Sequence, residues 1–134
     1  MQMDVVEYRQ YLRSLGYRQW RMLQSNEIRE LPNVMREDEI LKKAMYGSYE
    51  GGWAMIVATD QRIIFIDRKI FRRKVQYIAY RNIFSFDYSA DIFYGQIEIY
   101  ARGAKITMRR IRRKQLIDFC QYLDQMVEEP HQKK

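Results

Sequence analysis

Trp53 to Ile83 reads WAMIVATDQRIIFIDRKIFRRKVQYIAYRNI, and this stretch decides the fold. It holds three strand-like runs joined by two tight turns. Apolar and polar residues alternate across Arg62-Ile63-Ile64-Phe65-Ile66-Asp67 and again across Lys74-Val75-Gln76-Tyr77-Ile78-Ala79-Tyr80, a period of two that predicts strands with one buried face. Between them, Arg68-Lys69-Ile70-Phe71-Arg72-Arg73 is a turn that displays two large apolar residues inside a basic collar. That turn is the leading sign of function.

Outward from this centre, Leu41 to Glu50 and Trp53 to Thr59 flank Gly51-Gly52, a hairpin signal because glycine tolerates positive φ. On the other side, Ile83 to Tyr88, Gln96 to Ala101 and Ala104 to Arg109 read as strands, the last pair joined by Arg102-Gly103. Seven short strands imply a sandwich or partly open barrel. Leu116, Phe119, Cys120, Leu123 and Val127 then form one stripe, which predicts a closing amphipathic helix that covers an end of the barrel.

Upstream, Val5, Tyr8, Leu12 and Leu15 recur at spacings of three and four, so the N-terminal segment reads as an amphipathic helix interrupted near Gly16. It can dock on its own sandwich, on a neighbouring subunit or at a membrane surface; Asp4 and Glu7 weaken a basic polar face and favour protein docking. A second helical piece is predicted from Tyr17 to Glu30, broken by Leu31-Pro32-Asn33, since the residue before proline disfavours helix. The expected organisation is a helical extension over 1–32, one main domain over 33–127 and a polar tail over 128–134. A chain of 134 residues is long enough to bury a core without staples.

The net charge of +7 is concentrated: residues 61–114 hold 14 Lys and Arg against 4 Asp and Glu, whereas the flanks are near balance or acidic. A localised anionic partner follows more readily from this than a uniformly basic surface. The single cysteine, Cys120, excludes an internal disulfide and suits a reducing compartment. Met1 to Glu7 lacks the apolar core of a signal peptide, and the longest uncharged apolar run is Trp53 to Ala58, so the expected location is cytoplasmic or peripheral on the inner membrane face.

Seven antiparallel strands followed by one amphipathic helix is the order of the pleckstrin-homology architecture. Val57-Ala58-Thr59-Asp60-Gln61-Arg62-Ile63-Ile64-Phe65-Ile66-Asp67 resembles the second hairpin of the YokE-like bacterial PH (pleckstrin homology) domains, a threonine-polar-x-Arg turn running into an aliphatic-aromatic strand. The resemblance continues through Ile70-Phe71, Ile78, Ile83 and the closing helix, and spans residues 33–127. It implies a mainly β fold with flanking helices: a PH-like split barrel, a seven-stranded antiparallel sandwich capped by the C-terminal helix, with an N-terminal helical extension. It also implies that the turns after strands one, three and six share an open end opposite that helix. Phosphoinositide-binding PH domains typically carry a Lys/Arg-rich pattern at the first of these turns. Here the residues are Tyr49-Glu50-Gly51-Gly52-Trp53, so any lipid binding is expected to follow total anionic charge.

The expected contact set is therefore Lys69, Ile70, Phe71, Arg72, Arg73, Arg102 and Lys105. Two readings of the Ile70-Phe71 turn stand open. In one, the apolar tip enters a membrane boundary, where burying Phe contributes about 1.5–3 kcal/mol and each nearby cation about 1 kcal/mol. In the other, Phe71 folds back over the barrel mouth and the cations are solvated. A second basic run, Arg109, Arg110, Arg112, Arg113 and Lys114, stands where the last strand meets the helix. Cations there oppose the macrodipole, so helix stability does not account for them. They form a secondary anion site, pair with acids of the N-terminal segment, or lie in solvent. The two basic clusters are expected at opposite ends of the sandwich, which argues against a continuous nucleic-acid track.

Tyr77, Tyr80, Phe84, Phe86, Tyr88, Phe93, Tyr94 and Tyr100 interleave with basic residues, but in a small sandwich most are expected in the core or in cross-strand pairs. Nucleic-acid binding by a basic and aromatic surface is thus the alternative function, without a recognition signature behind it. No phosphate loop, metal-ligand cluster or nucleophile elbow is present. The only histidine, His131, lies in the polar tail, and Cys120 lies on the helix's apolar stripe. Glu37-Asp38-Glu39 is expected to cap and solubilise the approach to the first strand. No catalytic residue, cofactor, metal or small-molecule substrate is expected. The reading is a noncatalytic binding module whose partner is a protein or an anionic membrane surface, with sheet edges and an N-terminal helix suited to homo-oligomerisation.

Overall fold

The computed structural model describes residues 2–128. Each run read as a strand forms one: β1 (Leu41–Tyr49), β2 (Gly52–Thr59), β3 (Arg62–Lys69), β4 (Arg72–Ala79), β5 (Ile83–Ala90), β6 (Tyr94–Ala101) and β7 (Ala104–Arg112). They make one antiparallel sheet in the order β4-β3-β2-β1-β7-β6-β5, curled into a half-barrel whose edges are β4 and β5. The two halves meet at β1 and β7, where Ser48 pairs with Arg109. This crossing is tight. A Cβ on Gly47 would stand 2.6 Å from the Arg109 carbonyl oxygen and 2.7 Å from Ile111 Cγ1, so only glycine lets the strands approach.

The inner face of the sheet gathers Met45, Ile56, Phe65, Ile97, Ile99 and Ile106 around the final helix, α4 (Arg113–Val127), which inserts Leu116, Phe119, Cys120 and Leu123. The predicted stripe is therefore the packed face of α4, with Val127 partly buried at its end.

The expectation of one buried face per central strand is corrected. In β3, Ile63 and Phe65 point into the inner core while Ile64 and Ile66 belong to a second core on the outer face. β2 divides in the same way, Ala54, Ile56 and Ala58 against Met55 and Val57. Strands covered on both sides carry continuous apolar runs, which is why this stretch is so rich in isoleucine.

What covers the outer face is the N-terminal segment. Its helix α1 (Val5–Ser14) opens with a capping box, in which the Glu7 N–H donates to Asp4 and the Asp4 N–H donates to Glu7, each at 2.9 Å. Tyr8 and Leu12 are buried against the sheet, Leu15 is exposed, and the chain leaves the helix through Gly16 at φ +102°. The continuous helix expected over Tyr17 to Glu30 is replaced by α2 (Trp20–Leu23), a 3-10 turn (Ile28–Glu30) and α3 (Leu31–Val34). Pro32 sits in the first turn of α3, where its missing N–H costs nothing, so Leu31-Pro32-Asn33 starts a helical turn instead of ending one. The segment is tied down by polar bonds as well: Tyr11 Oη donates to Leu41 O at 2.7 Å, the Ala44 N–H to Tyr17 Oη at 2.8 Å, and Gln115 Nε2 of α4 to Gln19 Oε1 at 2.8 Å. Beyond Glu128, the polar tail and His131 lie outside the described residues.

Candidate functional site

Lys69 pairs with Arg72 and closes the β3–β4 hairpin on a loop of two residues, Ile70 and Phe71. Two-residue hairpins favour Asn-Gly and similar pairs at positive φ. Neither Ile70 nor Phe71 has positive φ, and neither residue type is called for by the turn. Ile70 is 83% exposed and Phe71 is 99% exposed. Phe71 therefore stands in solvent at the tip and does not fold back over the barrel mouth.

The collar around this tip is not a set of waiting cations. Asp67, fully buried, accepts from Lys69 and, at 2.8 Å, from Arg72. Arg72 also pairs with Glu50 at 3.2 Å, which fastens the β1–β2 turn to the β3–β4 turn. Arg73 and Arg68 reach Glu30 at 2.9 and 3.3 Å, and the Arg68 backbone N–H donates to Glu27 at 2.8 Å. Lys74 donates to Tyr49 Oη at 3.0 Å. Burial pushes the Glu27 carboxyl above its ordinary value, partly offset by the Arg68 N–H. Glu27 and Glu30 come from the N-terminal segment, so local sequence around the turn could not reveal that its cations are occupied.

The β1–β2 turn is built on Glu50 and Gly51, at φ +46° and +79°, and Gly52 already belongs to β2. At the β6–β7 turn, Lys105 lies 3.7 Å from Glu98 and 5.4 Å from the Tyr100 ring, both on its own hairpin, and the Arg102 N–H donates to Asn82 O at 2.8 Å. The contacts thus tie the β3–β4 hairpin to Glu50 through Arg72 and to the N-terminal acids through Arg68 and Arg73, while Lys69 stays on Asp67 and Lys105 is engaged with β6.

The second basic run differs in kind. Among the described residues, Arg109, Arg110, Arg112, Arg113 and Lys114 are exposed and their side chains make no ion pair or hydrogen bond. β6 and β7 shift register here, Gly95 facing Ile111 while Ile97 faces Met108, and the extra residue puts Arg110 at φ +54°. This bulge interrupts the alternation, so that adjacent Arg109 and Arg110 both face outward. The second run begins nearer the β1–β2 turn than its expected place at the far end of the sandwich, while Arg112 and Lys114 line a hollow with Lys42 and Lys43 at the start of β1. Arg109 is the register partner of Ser48, and a groove of about 1120 Å³ is lined by Gly51, Gly52 and Trp53 as well as by Arg109, Arg110 and Arg112. Beside the run, the β5–β6 turn exposes Ile92 (80%) and Phe93 (71%); Phe93 was among the aromatics expected in the core or in cross-strand pairs, and Ile92 was not singled out.

Most interleaved aromatics are likewise outside the core. Tyr80 is buried, whereas Tyr77, Phe84, Tyr88, Phe93 and Tyr94 are exposed. The reason is topological: the N-terminal segment packs on residues of β1, β2 and β3, and β5 is a sheet edge.

Glu39 also departs from its expected solubilising role. Its carboxylate is buried and accepts from Thr59 Oγ1 at 2.7 Å, from the Arg36 N–H at 2.9 Å and from Arg62. Thr59 Oγ1 in turn accepts from the Gln61 and Arg62 N–H groups at 3.0 and 3.1 Å. Burial alone would raise the Glu39 pKa, but the bonds from Arg62, Arg36 and Thr59 outweigh it and hold it low. This is the physical content of the threonine-polar-x-Arg turn. Cys120 is buried, which pushes its thiol up to about 12 and removes it as a nucleophile. Among the described residues no group of His, Cys, Asp and Glu is placed to hold a metal, and no helix is long and apolar enough to cross a membrane.

Comparison with known proteins agrees with this geometry. The family described as Bacterial PH domain matches residues 35–125. Among solved structures, the chain is similar to a DUF1696 family protein with a pleckstrin-homology domain from Shewanella loihica PV-4, at 17% identity and a TM-score of 0.54, over 73% of this chain and 87% of that one. It is also similar to a pleckstrin homology domain from Shewanella amazonensis SB2B, at 20% identity and a TM-score of 0.54, over 75% of this chain and 94% of that one. At these identities the likeness is one of fold. No curated protein matches the chain.

Proposed function

The chain belongs to the bacterial PH domain family, and on that premise we propose that it is a noncatalytic binding module that docks another protein through the β3–β4 tip. The observation that carries this reading is the near-complete exposure of Ile70 and Phe71 on a turn whose geometry does not call for them. Two apolar side chains buried in a partner's pocket contribute about 1.5–3 kcal/mol each, enough for a reversible anchor. A protein fits this tip better than a charged bilayer because the surrounding cations are held by Asp67, Glu50 and Glu30. Those pairs rigidify the hairpin and leave little free charge to attract lipid. Arg72 and Arg73 position the tip in this reading, and Arg102 and Lys105 lie outside its contact area.

The test is affinity capture from the native cell with the parent and with Ile70→Ser plus Phe71→Ser. A partner retained by the parent and lost by an equally stable variant supports the reading; identical capture profiles contradict it. A second reading, self-association, is favoured by one observation: edge strand β5 exposes Phe84 and Tyr88. Sedimentation equilibrium of the parent against Phe84→Ser separates the two, since tip variants leave a β5 contact untouched.

A further inference from the structure

Arg113 and Phe93 are bonded, the Arg113 N–H donating to Phe93 O at 2.9 Å, so the apolar β5–β6 turn and the unpaired basic run form one surface. From this we propose that the surface made by Ile92 and Phe93 together with Arg109, Arg110, Arg112, Arg113 and Lys114 is a docking face for an anionic lipid bilayer. It is a different surface from the β3–β4 tip and does not depend on the reading of that tip.

The turn is stiff and aimed outward. Asp91 accepts from the Phe93 and Tyr94 N–H groups, each at 2.8 Å, and its own N–H donates to Tyr94 O at 2.8 Å. These bonds hold the Asp91 carboxyl below its usual value and leave Ile92 and Phe93 as the projecting residues. Ile92, Phe93 and Tyr94 border a hollow of about 620 Å³ shared with Arg112, Arg113 and Lys114, in which Asp118 is the acidic member.

Cations added from elsewhere in the chain enlarge the face. Arg18, Lys42 and Lys43 line a concavity of about 240 Å³ with Arg112 and Lys114. Among the described residues their side chains, too, make no ion pair. Asp91 and Asp118 are the acids that line these hollows, so positive charge dominates. This contrasts with the tip, whose collar is balanced by Glu27, Glu30, Glu50 and Asp67.

Two costs built into the face argue for a ligand. Arg110 adopts a left-handed conformation that suits glycine, and the bulge it creates presents two adjacent arginines. Arg112, Arg113 and Lys114 crowd the first turn of α4, where cations oppose the helix dipole. A bilayer is the occupant because free cations meet anionic headgroups while Ile92 and Phe93 enter the acyl boundary; an isoleucine offers no flat face for base stacking.

The experiment is sedimentation with vesicles of phosphatidylcholine containing phosphatidylserine, compared with phosphatidylcholine alone. The parent should bind the anionic vesicles, lose binding as salt rises, and ignore the neutral ones. Each cation removed should weaken binding about fivefold, so Arg110→Gly should bind about fivefold more weakly while melting no lower than the parent. Arg113→Glu with Lys114→Glu, a change that suits a helix N-terminus, should weaken binding by more than about tenfold with the fold intact. Ile92→Ser with Phe93→Ser should also weaken it, whereas the Ile70→Ser, Phe71→Ser variant should bind as the parent does. Parent binding that is absent, or equal on neutral vesicles, overturns the proposal. So does undiminished binding by the charge-reversed variant, loss of binding by the tip variant, or capture of a single-stranded oligonucleotide with no vesicle binding.

Discussion

Arg62 donates to both carboxylate oxygens of Glu39, at 2.9 and 3.0 Å, and so fastens the β2–β3 turn to the segment that leads into β1. A third bond, to Val34 O at 2.9 Å, extends the clamp to the end of α3. Glu39 is fully buried and Arg62 nearly so, which makes this pair costly to break from one side. Glu39→Gln is expected to lower stability by about 3–5 kcal/mol, because it leaves Arg62 buried without its counter-charge. Urea unfolding measures this directly; an unchanged midpoint would show the pair to be dispensable.

Two acids should pull the pH dependence in opposite directions. Glu39 has a folded pKa below its ordinary 4.5, so its contribution is complete above that value and is lost as pH falls through the folded pKa. Glu27 has a folded pKa raised by burial, so its contribution is present at low pH and is lost as pH rises from about 4.5 through the folded value. Stability of Glu39→Gln should therefore fall less steeply in acid than that of the parent. For Glu27→Gln, stability should decline less as pH rises through that window, and unfolding midpoints across a pH series read both slopes.

The outer core predicts that the N-terminal segment is part of the folding unit. Leu12 is fully buried against a cluster that includes Met55, Val57, Ile64 and Ile66. Leu12→Ala should cost about 2–5 kcal/mol, as a core substitution does. Removal of residues 2–34 should expose that sheet face and cause self-association, seen by light scattering. A monomeric, equally stable truncation would contradict the packing.

On the inner face, Phe119→Ala should cost about 3–5 kcal/mol. Its neighbour Cys120 reports the same packing chemically. With the thiol raised to about 12 by burial, alkylation at neutral pH should proceed only on unfolding and should track the urea transition. Rapid modification of the native protein would place α4 elsewhere.

The strands, the closing helix and the position of the β3–β4 turn, though not the exposure of Phe71, were legible because each is encoded locally: period two, period three to four, and two apolar residues between cations. Three features were not. Ile63 to Ile66 look the same whether one face of β3 is covered or both, and only the docking of α1 decides it. The pairing of Arg68 and Arg73 with Glu30 joins positions about forty residues apart, so the collar looked free in sequence. The left-handed Arg110 carries no residue signal at all, since glycine would mark such a bulge and arginine does not. Phe93 misled for a related reason: an aromatic beside a strand reads as core until the topology leaves its side of the sheet bare.

The serine pair at the tip should leave the fold alone. Ile70 and Phe71 contribute little buried area to the native state, so Ile70→Ser with Phe71→Ser should change stability by no more than about 0.5 kcal/mol. A larger loss, measured by urea unfolding, would make the turn a structural element.

The most direct test of the binding reading is photo-crosslinking in the native cell from a benzophenone amino acid at position 71, with the same probe at exposed Arg13 on α1 as control. The account predicts a discrete protein adduct from position 71 that is absent from position 13. Adducts that are identical from both positions, or only lipid at position 71, would contradict it.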